Sequence, residues 1–330
     1  ALHHETGLQP AHSALGTGHQ IATAVGSQCS GLSSSLRCDG RQGRLIRSLW
    51  ELYGARECAS GCWCFSAQFV PHLEQPVVEM RDLTMQWGVR PVLDRVNLVM
   101  QPGERLAVVG PSGAGKSTVL RLLAGLQLPS SGELRLFNKS QTYLRLDQTD
   151  PPDVRLVFQN PALLGSLTVE QNVGFLLRKK WQLSKSEIRG RVEACLDAVG
   201  LVDVADFYPG QLSGGMQKRV SFARALIDDP LRDATEMPLL LYDEPTAGLD
   251  PVACTRIEDL IVKTTTVAKG CSVVVSHVRS TIERSAERVV MLYGGRFRWM
   301  GSVDEFRSTD NPYVAQFRTG SLRGPMQPAH

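Results

Sequence analysis

A glycine-rich stretch between two apolar segments constrains this chain most. The apolar residues 106–109 lead into Gly110-Pro111-Ser112-Gly113-Ala114-Gly115-Lys116-Ser117-Thr118, and the apolar segment 119–123 follows. The spacing, a glycine, four residues and then Gly-Lys-Ser, is typical of a strand, a phosphate-binding loop and a helix. Glycines let the backbone turn successive N–H groups toward one anion, and the helix N-terminus adds its partial positive charge.

The same loop indicates a ligand with several phosphates. Lys116 can reach a β- and a γ-phosphate, and the Ser117 hydroxyl can coordinate Mg²⁺. A glycine-rich turn that matches by chance is the alternative. The flanking strand and helix are what the binding chemistry requires, and they favour the phosphate loop.

Composition limits where the chain can act. Its 330 residues suffice for one large domain with a tail or for two small domains, and the formal net charge of +3 gives no reason to expect nucleic acid as a partner. The most apolar piece, residues 58–70, is about 13 residues long, whereas a transmembrane helix needs roughly 18 or more. We therefore expect contact with a membrane only through a partner protein.

Residues 1–75 differ from the rest and predict a disordered leader. Between Gly7 and Trp50 the only acidic residue is Asp39, against four arginines and seven serines. Such a composition cannot form a core by itself and is typical of organelle transit peptides. An ordinary disordered tail, or a gene product extended too far upstream, would look similar. Cys58, Cys62 and Cys64 could belong to a metal site, but no second pair stands at ligand spacing, which argues against zinc.

From residue 76 onward, strand patterns are prominent. Segments 77–85 and 92–100 alternate as a two-stranded ribbon, and Trp87 between them could stack on a purine or simply pack. A further strand from residue 154 ends at Gln159, and helical spacing dominates from residue 168 to 230. Within that region, Ser213-Gly214-Gly215 opens a helix and forms a second potential anion site. Two copies facing head to tail could close this turn over a γ-phosphate held by the other copy.

Two buried strands end in residues suited to catalysis. The apolar strand 239–242 is followed by Asp243 and Glu244, a costly place for unpaired charge unless Mg²⁺ is present. Asp243 would contact the ion, while Glu244 would point outward and polarise a water. Another apolar strand ends before His277, which could be structural but stands where Lys116 and Asp243 also converge, so we expect it to touch phosphate.

Taken together, residues 76–318 resemble the nucleotide-binding subunit of an ABC transporter. The resemblance implies an α/β fold, a P-loop NTPase of ABC type with a mixed central sheet, an antiparallel β subdomain and a helical subdomain inserted at about 165–230, with a disordered tail over 319–330. It implies ATP and Mg²⁺ as cofactors. It assigns adenine stacking to Trp87, phosphate binding to residues 110–118, and Mg²⁺ binding to Ser117, Gln159 and Asp243. It places the signature at 212–217, where Ser213, Gly214 and Gly215 bind nucleotide, and the D-loop at 247–250, where Asp250 does. It assigns catalysis to Glu244, His277, Lys116 and Gln159. Two departures are Met216, where the signature more often has Gln, and an extra loop at 231–237.

Three runs are similar to the Mla-type lipid transporter ATPases, including those of plastid trigalactosyldiacylglycerol lipid-import complexes. They are residues 212–220, 243–253 and 311–320. This similarity implies a homodimer that works with a separate permease and a mammalian-cell-entry-type lipid-binding protein to move phosphatidic acid-type lipids. With the leader, it implies a place in the plastid stroma on the inner envelope membrane; the cytoplasmic face of a bacterial inner membrane is the alternative.

Two other functions stay open from the sequence. The first is an ABC ATPase for another solute, such as amino acids or metal, because the missing permease selects the cargo. The second is a soluble ABC protein of translation or DNA repair. That class generally carries two fused ATP modules or a long coiled-coil insertion, and the 330 residues contain neither.

Overall fold

The computed structural model describes residues 56–57, 63–64, 75–88, 90–180, 183–227 and 237–327. The chain divides into two units, Ala1–Pro71 and His72–His330. In the first unit, β1 (Arg56–Glu57) and β2 (Trp63–Cys64) pair antiparallel. Most of the predicted leader, with Cys58 and Cys62, and residues 231–236 of the extra loop lie outside the described residues.

The second unit combines strands and helices in the order of an α/β domain. Its strands are β3 (Val78–Trp87), β4 (Arg90–Met100), β5 (Arg105–Val109), β6 (Ser131–Leu136), β7 (Lys139–Ser140), β8 (Val154–Val157), β9 (Leu239–Asp243), β10 (Cys271–Val275), β11 (Arg288–Tyr293) and β12 (Arg296–Ser302). Its helices are α1 (Lys116–Leu123), α2 (Val169–Val173), α3 (Phe175–Lys180), α4 (Lys185–Ala198), α5 (Gly214–Leu226), α6 (Pro251–Val267), α7 (Arg279–Ser285), α8 (Val303–Ser308) and α9 (Pro312–Thr319).

Two sheets organise this unit. The larger has the order β12-β11-β5-β10-β9-β8, in which β11, β5, β10, β9 and β8 run parallel and β12 is antiparallel. The smaller, β4-β3-β6-β7, is antiparallel throughout. Since β5, β9 and β10 are neighbours in the larger sheet, the segments that follow them meet at one edge. This edge carries the candidate site.

Both faces of the larger sheet are buried. Leu106 and Val108 of β5 pack with α1 and the smaller sheet, whereas Leu240 and Tyr242 of β9 face the core formed by α2, α4, α5 and α6. Ala107 lies in a third cluster with α7, α8 and α9. Burial on both sides explains why these strands read as continuous apolar runs. The fold class predicted from the sequence is confirmed.

The helical region has clear local signals. Thr168 and Ser184 begin α2 and α4 with capping boxes, in which each hydroxyl accepts a backbone N–H three residues on and a Gln or Glu side chain returns the bond. Val173, Ile188 and Val192 pack together in the core of this region. No helix of the described residues is both long enough and apolar enough to cross a bilayer.

The C-terminal segment makes specific contacts over its described part, residues 319–327. The Gln316 amide donates to the carbonyls of Ser321 (3.1 Å) and Met326 (2.8 Å) and accepts from the Met326 N–H (2.7 Å). The N–H of Gln327 donates to the Tyr293 hydroxyl (3.0 Å). One buried amide thus holds a polar segment that has no apolar pattern of its own.

Candidate active site

The glycine-rich loop joins β5 to α1 and has backbone angles that explain its glycines. Gly110, Gly113 and Gly115 have φ angles of 154°, 76° and 103°. A Cβ at Gly110 would collide with the Leu292 carbonyl, and one at Gly115 would lie 3.0 Å from a Val92 methyl group. Glycine at 110 and 115 therefore satisfies both the backbone angle and the close approach of neighbouring strands.

Lys116, the first residue of α1, turns its side chain back over this loop. The ammonium donates to the carbonyls of Gly110 (2.9 Å) and Pro111 (3.0 Å), and the residue as a whole is 9% exposed. Burial lowers its pKa, while the charges of Glu244 and Asp243 act in the opposite direction. A buried ammonium held only by carbonyls can exchange them for phosphate oxygens, which are stronger acceptors for a cation.

Ser117 and Asp243 bring two oxygen ligands together from different elements. The Ser117 hydroxyl donates to the Asp243 carboxylate at 3.3 Å. Burial raises the pKa of Asp243, the Ser117 hydrogen bond lowers it, and the charge of Glu244 raises it further. A hydroxyl and a partly desolvated carboxylate next to a phosphate loop are the donors that Mg²⁺ prefers, so the residues present fit this ion.

Glu244 and His277 form a pair across the ends of β9 and β10. Glu244 has φ 43°, a left-handed conformation, and its N–H donates to the Val275 carbonyl at 2.9 Å. Its carboxylate lies 2.9 Å from Nδ1 of His277. The sequence predicted that Glu244 points outward. This is wrong: the residue is 9% exposed, because its backbone turn aims the carboxylate at His277.

Gln159 and Trp87 are two further predicted site residues, and both are exposed. Gln159 follows β8, the edge strand beside β9, and is exposed two residues past the strand end. Trp87 ends β3, is 54% exposed, and pairs with Arg90 at the tip of the β3–β4 hairpin. Because β4 also carries Val92, which contacts Gly115, the hairpin reaches from the phosphate loop to an exposed aromatic ring.

The Ser213–Gly215 turn lies at the start of α5. The Ser213 hydroxyl accepts the N–H of Met216 (3.3 Å), and a Cβ at Gly214 or Gly215 would meet nothing within 4 Å. Ser213 and Gly214 are exposed. In the described part of the chain, no hydrogen bond joins residues 212–217 to residues 110–118. The turn is thus open to a ligand or partner from outside its own phosphate loop.

Asp250 has a role in its own chain that the sequence did not predict. Its carboxylate accepts the N–H groups of Val252 and Ala253, both at 3.0 Å, and caps α6. These backbone hydrogen bonds, led by that of Ala253, hold the pKa of Asp250 below its usual range. The acid therefore fixes the start of α6 beside the turn after Glu244.

Sequence reasoning missed two cations on α5. The Lys218 ammonium donates to the carbonyls of Pro245 (3.1 Å) and Ala247 (2.6 Å), next to Glu244. The Arg224 guanidinium donates to the carbonyls of Pro161 (3.0 Å) and Ala162 (2.8 Å), shortly after Gln159. All four acceptors are backbone oxygens, which leave no trace in a sequence, so no residue pattern predicts these contacts.

Known proteins settle the family. The family model described as ABC transporter matches residues 93–247. Protein TRIGALACTOSYLDIACYLGLYCEROL 3, chloroplastic, of Arabidopsis thaliana is 43% identical over 261 residues, which cover 76% of this chain and 76% of that protein. The chain belongs to the ABC transporter ATPase family. The family resemblance predicted from the motifs is confirmed, and this ABC ATPase is an ATP-hydrolysing subunit of a transporter.

Other relatives carry different cargoes in their names. The intermembrane phospholipid transport system ATP-binding protein MlaF of Haemophilus influenzae is 32% identical over 259 residues, 77% of this chain and 95% of that protein. The sulfate/thiosulfate import ATP-binding protein CysA of Nitrosomonas europaea is 38% identical over 248 residues, 73% and 65% of the two chains. A solved ATP-binding cassette, dimeric in a post-hydrolysis state with ADP and phosphate, has 31% identity and a TM-score of 0.60 over 68% of this ABC ATPase and 98% of that chain.

Proposed function

We propose that this ABC ATPase hydrolyses ATP at composite sites, each built from two copies arranged head to tail, and so drives phospholipid transport through a separate permease. The observation that carries the composite site is the position of Ser213–Gly215. Ser213 and Gly214 are exposed, both glycines have open space where a Cβ would stand, and within the described residues the turn makes no hydrogen bond to the phosphate loop of its own chain. The phosphate loop that this turn contacts belongs to a second copy.

In one copy, the phosphate loop and its neighbours hold the nucleotide. Trp87 stacks on adenine, the N–H groups of residues 110–118 surround the phosphates, and Lys116 leaves the Gly110 and Pro111 carbonyls for the β- and γ-phosphates. Ser117, Asp243 and Gln159 hold Mg²⁺. When bound, the ion neutralises phosphate charge.

The Glu244–His277 pair performs the proton chemistry. Glu244 accepts a proton from the attacking water, because the Ser117 hydroxyl is hydrogen-bonded to Asp243, the other carboxylate at the end of β9. In its doubly protonated form, His277 donates from Nδ1 to Glu244 and from Nε2 toward the γ-phosphate, where charge develops. Positioning and electrostatics supply most of the rate enhancement in such a transfer.

The other copy completes the site. Its Ser213 hydroxyl and the N–H groups of Gly214 and Gly215 approach the γ-phosphate, and the N-terminus of its α5 adds a favourable potential. Its Asp250 keeps the neighbouring turn in place at the boundary between the copies. Loss of phosphate removes the anion that both copies share, so the copies separate and move the permease.

Relatives favour a lipid cargo. The relative at 43% identity is a chloroplastic protein named for trigalactosyldiacylglycerol, and MlaF belongs by name to a phospholipid transport system. We extend this to a phosphatidic acid-type cargo, a permease, and a mammalian-cell-entry-type lipid-binding protein, with the ATPase on the stromal side of the plastid inner envelope. The cytoplasmic face of a bacterial inner membrane is the alternative. No nucleic acid takes part.

A second function has support from one comparison. The CysA relative is named as a sulfate/thiosulfate import ATP-binding protein and has a higher sequence identity to this chain (38%) than MlaF (32%), so transport of another solute is the competing proposal. Both proposals use the same ATP site. The permease is what distinguishes them.

The test is to purify the ATPase with its membrane partners and reconstitute the complex in vesicles. We expect phosphatidic acid in the vesicles to stimulate ATP hydrolysis, and sulfate, amino acids and metal ions to leave the rate unchanged. Glu244→Gln in the same complex controls for unrelated ATPases. Stimulation by a small solute, with no response to phospholipid, would replace the lipid proposal by the competing one.

A further inference from the structure

A buried polar cluster lies beneath the Glu244–His277 pair. It consists of Thr246, Glu258 and Thr281, which are 2%, 1% and 0% exposed. They come from three segments: the turn after β9, the middle of α6 and the first half of α7. Thr246 lies in the run 243–253, whereas Glu258 and Thr281 belong to no motif that the sequence singled out.

The hydrogen bonds of this cluster have a defined direction. The Thr281 hydroxyl (2.9 Å) and the Ser280 hydroxyl (2.8 Å) both donate to one carboxylate oxygen of Glu258. The hydroxyls of Thr246 and Thr281 are 2.9 Å apart. Because the Thr281 proton goes to Glu258, Thr246 must be the donor in that second bond. The Glu258 carboxylate therefore sets the direction of donation: Thr246 donates to Thr281, and Thr281 donates to Glu258.

This series of hydrogen bonds runs alongside the contact between Glu244 and His277. Thr246 is two residues after Glu244, and Thr281 is four residues after His277. Residues 244–246, after β9, are therefore linked to residues 277–281, which lead into α7, by two side-chain contacts. Glu244 and His277 (2.9 Å) form the outer one, and Thr246 and Thr281 form the interior one. The exposed link involves an imidazole whose side chain is 62% exposed. The interior link is the one shielded from water, where hydrogen bonds are stronger.

We propose that Thr246, Thr281 and Glu258 are positioning residues that hold His277 in register with Glu244 for hydrolysis. The proposal rests on the catalytic roles given above to Glu244 and His277. Glu258 anchors the N-terminal half of α7, and the Thr246–Thr281 bond transmits that anchor to the turn after Glu244. The Arg284 guanidinium, 3.4 Å from the other oxygen of Glu258, balances its charge.

A simpler role in stability makes a different prediction. A buried carboxylate with a partner is at best weakly stabilising, whereas an apolar replacement of similar shape is often tolerated. If the cluster served stability alone, Thr→Val at 246 or 281 would change the thermal midpoint and leave turnover of the folded enzyme intact. If it positions His277, turnover falls while nucleotide affinity stays the same.

The experiment compares Thr246→Val and Thr281→Val with the matched controls Thr246→Ser and Thr281→Ser, which keep the hydroxyl. We expect the valine variants to lose about 10- to 100-fold in kcat, since a misplacement of about 1 Å can cost on the order of 100-fold. The Kd for ATP should change less than about twofold, because the phosphate loop is untouched. The serine variants should keep most of the wild-type kcat. Unchanged kcat in both valine variants would overturn the proposal, as would an equal loss in the serine controls.

A double-mutant cycle then locates the effect. In a His277→Ala background, Thr281→Val should cause no further loss, since the network acts through the histidine; losses that multiply would overturn the proposal. Amide exchange gives a readout that needs no residual activity: residues 276–281 should exchange faster in Thr281→Val while residues 110–118 do not change. Unchanged exchange at 276–281 would contradict the proposal. Wild-type turnover in both His277→Ala and Glu244→Gln would instead overturn the catalytic assignment on which it rests.

Discussion

Replacing Asp243 by Asn should separate the stability of this ATPase from its function. Burial raises the pKa of Asp243, so its charge opposes folding at neutral pH. Asn keeps an oxygen for the Ser117 hydroxyl, now 3.3 Å from the carboxylate, and with it a neutral hydrogen bond of about 0.5–1.5 kcal/mol. We therefore expect the nucleotide-free variant to be as stable as the wild type, or more stable by up to about 1 kcal/mol, which is roughly 2–4 °C in Tm.

The stabilisation by bound nucleotide should be smaller in Asp243→Asn than in the wild type. At 100 times its Kd, a ligand stabilises a protein by about 2.7 kcal/mol, which corresponds to about 5–11 °C for a domain of this size. Asp243→Asn should lose the part of this shift that depends on Mg²⁺. Differential scanning fluorimetry with ATP, with and without Mg²⁺, measures both effects on one sample.

The sign of the pH dependence provides a further check. A carboxyl group whose pKa is raised by folding does not lower the free energy of unfolding at a pH below its pKa in the unfolded chain, about 3.9. It lowers the free energy of unfolding by the full amount at a pH above its pKa in the folded protein. The advantage of Asp243→Asn should therefore be small near pH 4 and largest at neutral pH. Asp250→Ala is the contrasting control: the backbone N–H groups of Ala253 and Val252 lower the pKa of Asp250 and it caps α6, so its replacement should lower the Tm of the nucleotide-free protein. A nucleotide-free Asp243→Asn that is less stable than wild type at neutral pH, or that keeps the full Mg²⁺-dependent shift, would refute this reasoning.

Three further predictions concern other parts of the chain. Lys116→Ala should abolish ATP turnover, because the loop loses its cation; normal activity in a coupled assay would contradict the phosphate-loop assignment. Lys218→Met should keep ATP affinity and lower turnover, because two carbonyls beside Glu244 lose their donor; Lys218→Arg is the conservative control, and equal turnover in all three proteins would exclude a role for this lysine. Deleting residues 1–70 should leave the ATPase rate unchanged, and its loss would mean that the leader contributes to the folded enzyme.

The sequence was most informative where backbone geometry demands particular residues. Gly110 and Gly115 are required by backbone angle and close packing together, and the apolar runs of β5, β9 and β10 follow from burial on both faces. Because parallel strands end at one edge, the convergence of Ser117 with Asp243 could be predicted from spacing alone. These constraints are local or follow from the topology of the sheet.

What the sequence did not predict depends on side-chain direction. The left-handed φ of Glu244, which turns its carboxylate toward His277, is unusual for a residue other than glycine. Lys218 and Arg224 bind backbone carbonyls, and Gln316 holds the C-terminal segment in the same way. Such contacts have no residue pattern, because every residue carries a carbonyl.

The central claim is that each hydrolysis site is shared between two copies. Sedimentation velocity of Glu244→Gln, with and without saturating Mg²⁺–ATP, tests it most directly, since this variant should bind nucleotide without consuming it. We predict a monomer without nucleotide and a stable dimer with it, and a return to monomer when Ser213 is also replaced by a bulky acid. A Glu244→Gln protein that stays monomeric with bound ATP would contradict the account.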